Sequence, residues 1–367
     1  MQALTLSHVF KRTISFGRPH TYPLKEFKFH KIKSDALPKT AELTKSDALK
    51  YFEQMTTIRL MENEAGRLYM QKSIKGFCHL YSGQEACAVG TEAAVKKDDS
   101  LITAYRCHGF SYTRGLSVAE ILCELTGRVS GASKGRGGSM HIYAHEFYGG
   151  NGIVGAHVPL GAGIALAHKL RNNGKISIAL YGDGLQYGCF KLPIIFVCEN
   201  NKFGMGTSCE RASASLDYYS RGDFIPGIKV DGSCVLSVRE VMKYCRNWCL
   251  EGKGPIVVEF DTYRYSGHSM SDPGTSYRKV EDVQKVRKSR DPIVTFTELI
   301  ASDNLVSQKE LDEIKERQEE IVEKAKEKAL SDPFPEVKDI GLHVYHGGTV
   351  NGFVRGCSPY VQYESNK

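Results

Sequence analysis

The chain has 367 residues, 41% hydrophobic and 25% charged, an ordinary globular composition at a length that can bury a full core, and no run approaches the ~18 apolar residues of a membrane helix. The net charge of +7 is concentrated at one end: Lys11, Arg12, Arg18, Lys25, Lys28 and Lys31 against Glu26 alone put +5 of it in the first 31 residues. A general basic surface for nucleic acid therefore finds no support.

The start is free of acids through Pro23 and carries Arg12, Arg18, several Ser and Thr, and apolar Leu4, Leu6, Val9, Phe10 and Phe16. Residues 1–30 read as an organelle transit peptide. Eleven cysteines are scattered without CxxC spacing. The odd count speaks against a disulfide framework and fits a reducing compartment such as the mitochondrial matrix. Cys245 and Cys249 have no nearby His pair, which speaks against zinc.

A first helix is expected over 44–72, capped by Thr44 or Ser46, with Leu49, Phe52, Met55, Ile58, Leu60 and Met61 as its apolar side. A second is expected over Ser117–Thr126, with Ser117 and Glu120 spaced as a capping box. Residues 131–139, GASKGRGGS, form a glycine-rich loop. Val158–Leu170 is a small-residue helix. Ile176–Tyr181, Pro193–Cys198 and Pro255–Phe260 are apolar throughout, as strands buried on both faces are. The fold class is thus α/β, a mostly parallel sheet with helices on both faces. Ligands of such sheets sit beyond the carboxyl ends of the strands, where Asp183, Asn201 and residues 261–278 fall. Residues 308–331 predict a charged helix docked by a stripe of Leu311, Ile314, Ile321 and Ala325.

Asp183 lies between two glycines at the end of one apolar run, and Glu199-Asn200-Asn201 ends the next. A hard cation such as Mg²⁺ takes about six oxygens, usually shared among protein, phosphate and water. One carboxylate and a neutral amide oxygen suit a cation already half-neutralised by a diphosphate. GDG alone is a common turn; GDG and ENN together at adjoining strand ends are far more specific. Tyr105 and Arg106 offer a phenol and a guanidinium to phosphate oxygens, and His79 offers an imidazole. Singly, each would be read as a core or surface residue.

The runs KGFCHLYSGQEA (75–86), LITAYRCHGFSYTRGLS (101–117), KGRGGSMHIY (134–143), FYGGNGIVGAHVPLGAGIALA (147–167) and TYRYSGHSMSDPGTSYR (262–278) resemble the alpha subunits of mitochondrial pyruvate dehydrogenase E1 components. The likeness spans residues 40–345, leaving 346–367 as a tail expected to pack on a partner. The resemblance implies a thiamine-diphosphate-binding fold and thiamine-diphosphate-dependent oxidative decarboxylation of pyruvate. It implies thiamine diphosphate and Mg²⁺ as cofactors, with the metal held by Asp183, Asn201 and the backbone carbonyl of Phe203. Tyr105 and Arg106 would bind the diphosphate, and His79, Ala144, Gly152, Val154 and Gly184 would line the thiamine site. His268 would stand over the reacting carbon. It also implies an alpha2-beta2 heterotetramer in which the activating Glu comes from the beta subunit. The lipoyl domain of the dihydrolipoamide acetyltransferase (E2) would be a second partner. A regulatory kinase and phosphatase would act on Ser208, Ser269 and Ser276.

The sequence departs from that pattern twice. Ser266 stands where the family usually has His. After Gly184 about eleven residues of the pattern are missing, so the crossover to the next strand is short. A link of that length is expected to leave a sheet face uncovered. Two other readings stay open: a catalytically impaired subunit that only binds partners, and a branched-chain 2-oxo acid dehydrogenase alpha subunit. The wording Ser-Met-Ser-Asp-Pro-Gly at 269–274 favours pyruvate over the latter.

Overall fold

The computed structural model describes residues 19–182, 191–222, 224–337, 339, 342, 353–355 and 362–364. Two short strands open it, β1 (His20–Pro23) and β2 (Lys28–His30), followed by β3 (Thr40–Leu43). β1 pairs antiparallel with β3, and β2 forms one edge of the main sheet. Tyr22 and Phe27 are buried in the core. Residues 20–30 thus pack with the folded body, and residues 1–18 of the expected leader lie outside the described residues. The basic composition there belongs to an edge strand, where charged side chains block stray pairing.

Helix α1 (Lys45–Met70) begins where Thr44 accepts the Asp47 amide at 3.1 Å, a cap worth about 1 kcal/mol. It is followed by α2 (Glu85–Ala94), β4 (Ser100–Ala104), α3 (His108–Thr113) and α4 (Val118–Leu125). The capping box of Ser117 and Glu120 is formed. Next come β5 (Phe147–Asn151), α5 (His157–Arg171), β6 (Ser177–Tyr181) and β7 (Ile194–Asn200). A small hairpin, β8 (Phe203–Gly204) with β9 (Thr207–Ser208), leads to the short α6 (Cys209–Ala212). The sheet resumes with β10 (Gly227–Asp231), crosses by α7 (Val235–Leu250), and ends with β11 (Ile256–Asp261). Helices α8 (Val280–Arg290), α9 (Pro292–Ser302) and α10 (Gln308–Ser331) follow, and β12 (Phe353–Arg355) pairs with β13 (Gln362–Glu364).

The main sheet has the order β2-β10-β11-β7-β6-β4-β5, parallel except for β2. Alternation along each strand divides the core. Ile178, Leu180, Ile195, Val197, Val258 and Phe260 face the large core built with α1, α2, α4, α7 and α10. Ala179, Phe196 and Val257 face a smaller one with Val158 and Ala165 of α5, Cys209, Tyr218 and Ile225. All three strand residues are fully buried. The sheet face is therefore covered despite the short crossover, contrary to expectation. The α5 helix and the 209–225 segment supply the cover that the missing crossover helix would have given.

β6 and β7 keep an unbroken parallel register from Ser177 opposite Ile194 to Tyr181 opposite Cys198. The strands are five and seven residues long, so the link has only a short distance to return.

On α10 the buried row is Leu311, Ile314, Gln318, Val322, Ala325 and Ala329. Ile321, assigned to the stripe from sequence, is exposed. Gln318 sits in the row because its amide is satisfied by Thr57 and Glu53 of α1, each at 3.0 Å.

Candidate cofactor site at the strand ends

β4 connects outward to β5, whereas β6 connects the other way to β7. The chain thus reverses direction between β4 and β6, the place where open parallel sheets leave a crevice. A cleft opens there, lined by Ala104, Tyr105 and Arg106 after β4, Gly182 after β6, the 199–204 stretch after β7, and Arg264 and His268 after β11. Residues as far apart in sequence as Ala104 and His268 meet at this edge because four parallel strands end together.

Arg106 and Arg264 are 6% and 1% exposed. Neither forms an ion pair with a carboxylate among the described residues. Arg106 donates to the carbonyls of Leu80 at 2.6 Å and His268 at 2.9 Å. Arg264 donates to Phe203 O at 2.7 Å, Asn201 Oδ1 at 3.3 Å, Met205 O at 2.7 Å and the Tyr277 hydroxyl at 2.9 Å. Burial, and then the neighbouring Arg264, hold the Arg106 guanidinium below its ordinary range. Two buried cations without counter-ions are costly unless an anion joins them.

The imidazoles answer to the same field. Burial and then Arg106 push His79 down to about 3. Burial, Arg106 and Arg264 push His268 down to about 4. Both are therefore neutral near pH 7. Their rings and that of Tyr105 cluster, with His79 4.5 Å from Tyr105 and 5.3 Å from His268 between centroids. His79 Nδ1 is buried without a hydrogen-bond partner. Burial raises the Glu199 carboxyl to about 7, against the Tyr81 hydroxyl that bonds it, Arg106 and Gln84.

These observations test whether a magnesium diphosphate fits. Asn201 Oδ1 and Phe203 O, the two described oxygens expected at the metal, converge on the same guanidinium nitrogen of Arg264. They lie within reach of one cation, a place that the Arg264 nitrogen itself fills in this structure. The unpaired guanidinium groups suit a diphosphate, and the orphaned His79 nitrogen suits a polar ligand. The residues present fit the group. Asp183 and Gly184 lie outside the described residues.

The other expected lining residues are less enclosed. Ala144 is half-buried beside Phe147, Gly152 is exposed and Val154 is 81% exposed. Of the three serines, Ser269 is 5% exposed and 2.7 Å from the Ser271 hydroxyl; Ser208 is half-buried at the end of β9 and Ser276 is exposed. The 264–278 loop is ordered by side chains: Asp272 accepts the His268 and Gly274 amides at 2.6 and 2.9 Å and the Tyr277 hydroxyl at 2.5 Å. Arg278 holds the carbonyls of Arg264 and Ser266, each at 2.7 Å.

Sequence reasoning missed Glu124. Its fully buried carboxylate gathers the amides of Ser133, Gly135 and Gly137 at 2.7, 2.9 and 2.6 Å. The glycine-rich loop therefore spends these donors internally instead of offering them to phosphate. Gly135 has φ 73°, which glycine adopts without strain. No helix among the described residues is long and apolar enough to cross a membrane.

Residues 53–338 match the family model described as dehydrogenase E1 component. The chain is 50% identical over 370 residues to the pyruvate dehydrogenase E1 component subunit alpha, somatic form, mitochondrial, of Homo sapiens, covering 98% of this chain and 94% of that one. It is 51% identical over 362 residues to the mitochondrial alpha subunit of Sminthopsis macroura, covering 96% and 99%. Against the human testis-specific form it is 52% identical over 339 residues, covering 89% and 87%. With its strand-end cleft, its buried guanidinium pair and agreement of this extent along the whole body, the chain belongs to the dehydrogenase E1 component family.

Proposed function

We infer that this chain is the alpha subunit of a mitochondrial pyruvate dehydrogenase E1 component, acting in the matrix with a beta subunit and passing its product to the lipoyl group of E2. The observation that carries this reading is the pair of buried guanidinium groups, Arg106 and Arg264, facing one cleft with no ion pair to a carboxylate among the described residues. The leader is read as ending before His20, because β1 and β2 are part of the body.

Asp183, Asn201 and Phe203 O would hold Mg²⁺, and Tyr105 and Arg106 the diphosphate. Thiamine diphosphate, when bound, supplies the electron sink for loss of carbon dioxide from a 2-oxo acid. The chain's own groups do the rest. Arg106 holds the His268 carbonyl as well as facing the cleft, so phosphate binding and the placement of His268 share one side chain. His268, kept neutral by burial and two cations, can accept or return a proton at a ring nitrogen near pH 7. His79, Ala144, Gly152 and Val154 line the thiamine end, whose outer wall the beta subunit supplies.

Phosphorylation of Ser269 would place about −1.5 to −2 charge at a position where the serine is buried. The loop must leave its seat to accept it, and His268 leaves with it. Co-expression with a beta subunit tests the reading. Calorimetry should show tight, Mg²⁺-dependent binding of thiamine diphosphate, with pyruvate turnover; absence of cofactor binding would overturn it.

A further inference from the structure

Residues 77–82 carry His79 into the cleft, yet they form neither helix nor strand. Backbone groups buried without a ladder must be satisfied one by one. The Cys78 carbonyl accepts the Met270 amide at 2.8 Å, Leu80 O accepts Arg106 at 2.6 Å, and Ser82 O accepts the Tyr265 amide at 3.1 Å. Two amides point the other way. His79 N donates to Ser139 Oγ at 3.3 Å, and Tyr81 N donates to Glu62 Oε1 at 2.9 Å.

A third side chain joins those two acceptors. His108 Nδ1 lies 3.0 and 3.1 Å from the two carboxylate oxygens of Glu62. Its Nε2 lies 3.0 Å from Ser139 Oγ and 3.1 Å from Ser139 O. Glu62 and His108 are fully buried and Ser139 is 5% exposed. The three come from α1, the start of α3 and the glycine-rich loop.

Both ring nitrogens of His108 face oxygen. Nδ1 faces a carboxylate, which only accepts, while Nε2 faces a carbonyl and a hydroxyl, and the hydroxyl can donate or accept. The three side chains therefore close one continuous hydrogen-bonded chain from the Tyr81 amide to the His79 amide.

We propose that Glu62, His108 and Ser139 form a buried hydrogen-bonded relay that positions His79 against the bound cofactor. All three are positioning residues. This rests on the functional reading above, and its test is chosen to stand apart from it.

Two variants in the assembled alpha-beta protein make the test. Ser139→Ala deletes only the hydroxyl that accepts His79 N; Glu62→Gln replaces the carboxylate that meets both Tyr81 N and His108 Nδ1. Ser139→Ala should raise the KM for thiamine diphosphate about tenfold, the worth of one hydrogen bond. It should leave the KM for pyruvate unchanged and kcat at saturating cofactor within about twofold. In the cofactor-free protein, either variant should speed amide exchange of 77–82 while β6 and β7 exchange as before. Wild-type exchange over 77–82 in both variants would overturn the proposal. Exchange that rises equally in β7 would also overturn it, since the relay would then serve the whole fold. If the unaltered protein binds no thiamine diphosphate, the functional reading fails while the exchange result still decides the relay.

Discussion

At the strand ends, Arg106 and Arg264 are at most 6% exposed, and their positions are fixed by carbonyls from three separate segments, at Leu80, at Phe203 and Met205, and at His268. In the segment after β5, which the proposal assigns to the thiamine, Val154 is 81% exposed, Ile153 is 72% exposed, and Gly152 lies open beside them. The first half must hold charge, and charge needs fixed, dry dipoles prepared in advance. On the proposed reading, the second would hold an apolar ring, with this chain as one wall. Large apolar side chains left open next to a closed polar site are what an obligate partner covers. The comparison, on that reading, separates what the subunit would do alone, binding the diphosphate, from what it would do only when paired.

The hardest break of the closed half is Ser269→Glu. A carboxylate placed in that buried position has no cation assigned to it, and it displaces the loop carrying His268. Pyruvate turnover of the assembled enzyme should fall at least ~100-fold; full turnover would refute the switch. Arg106→Met comes next. It removes the charge facing the cleft and strands the carbonyls of Leu80 and His268. Two charge-assisted hydrogen bonds at ~1.5 kcal/mol each predict a roughly 100-fold weaker thiamine diphosphate affinity, measurable by calorimetry.

Val154→Asp probes the open half. The side chain is exposed, so stability of the isolated chain should stay within about 0.5 kcal/mol. Assembly with the beta subunit should weaken roughly tenfold, read by sedimentation. An unchanged assembly would place the interface elsewhere.

The smallest effect is a pH slope. His79 and His268 titrate lower in the folded protein, about 3 and about 4, than the ~6.5 of an unfolded chain. Between those values the unfolded state binds more protons, so stability rises with pH. It should be complete above about pH 6.5 and decline as the pH falls toward 4. Urea midpoints across that window check this, and His268→Gln should flatten the slope. Bound anionic cofactor should flatten it too, by favouring the charged imidazoles.

Local features were legible at the outset. The three apolar runs became β6, β7 and β11 within a residue or two, and Ser117 with Glu120 formed its box. Each depends on neighbours a few residues apart. Tyr105, Arg106, Asn201 and Phe203 meet at one edge because the strands preceding them are parallel, and parallelism was itself legible from strands apolar on both faces. That the short basic stretch at 20–30 forms strands was not legible, since an edge strand and a leader share a composition. The stripe on α10 slipped from Val322 to Ile321, because a hydropathy pattern cannot see that Gln318 has partners on α1.

The sequence by itself determined the alternation of elements, their caps, and the identity of the groups at the strand tips, because those follow from short-range sterics and periodicity. Only the tertiary structure decided that Glu62, Glu124 and His108 lie inside. A charged residue on a helix reads as solvated from its neighbours. Its burial is permitted solely by donors arriving from distant segments: the Tyr81 amide and His108 for Glu62, and the glycine-rich loop for Glu124.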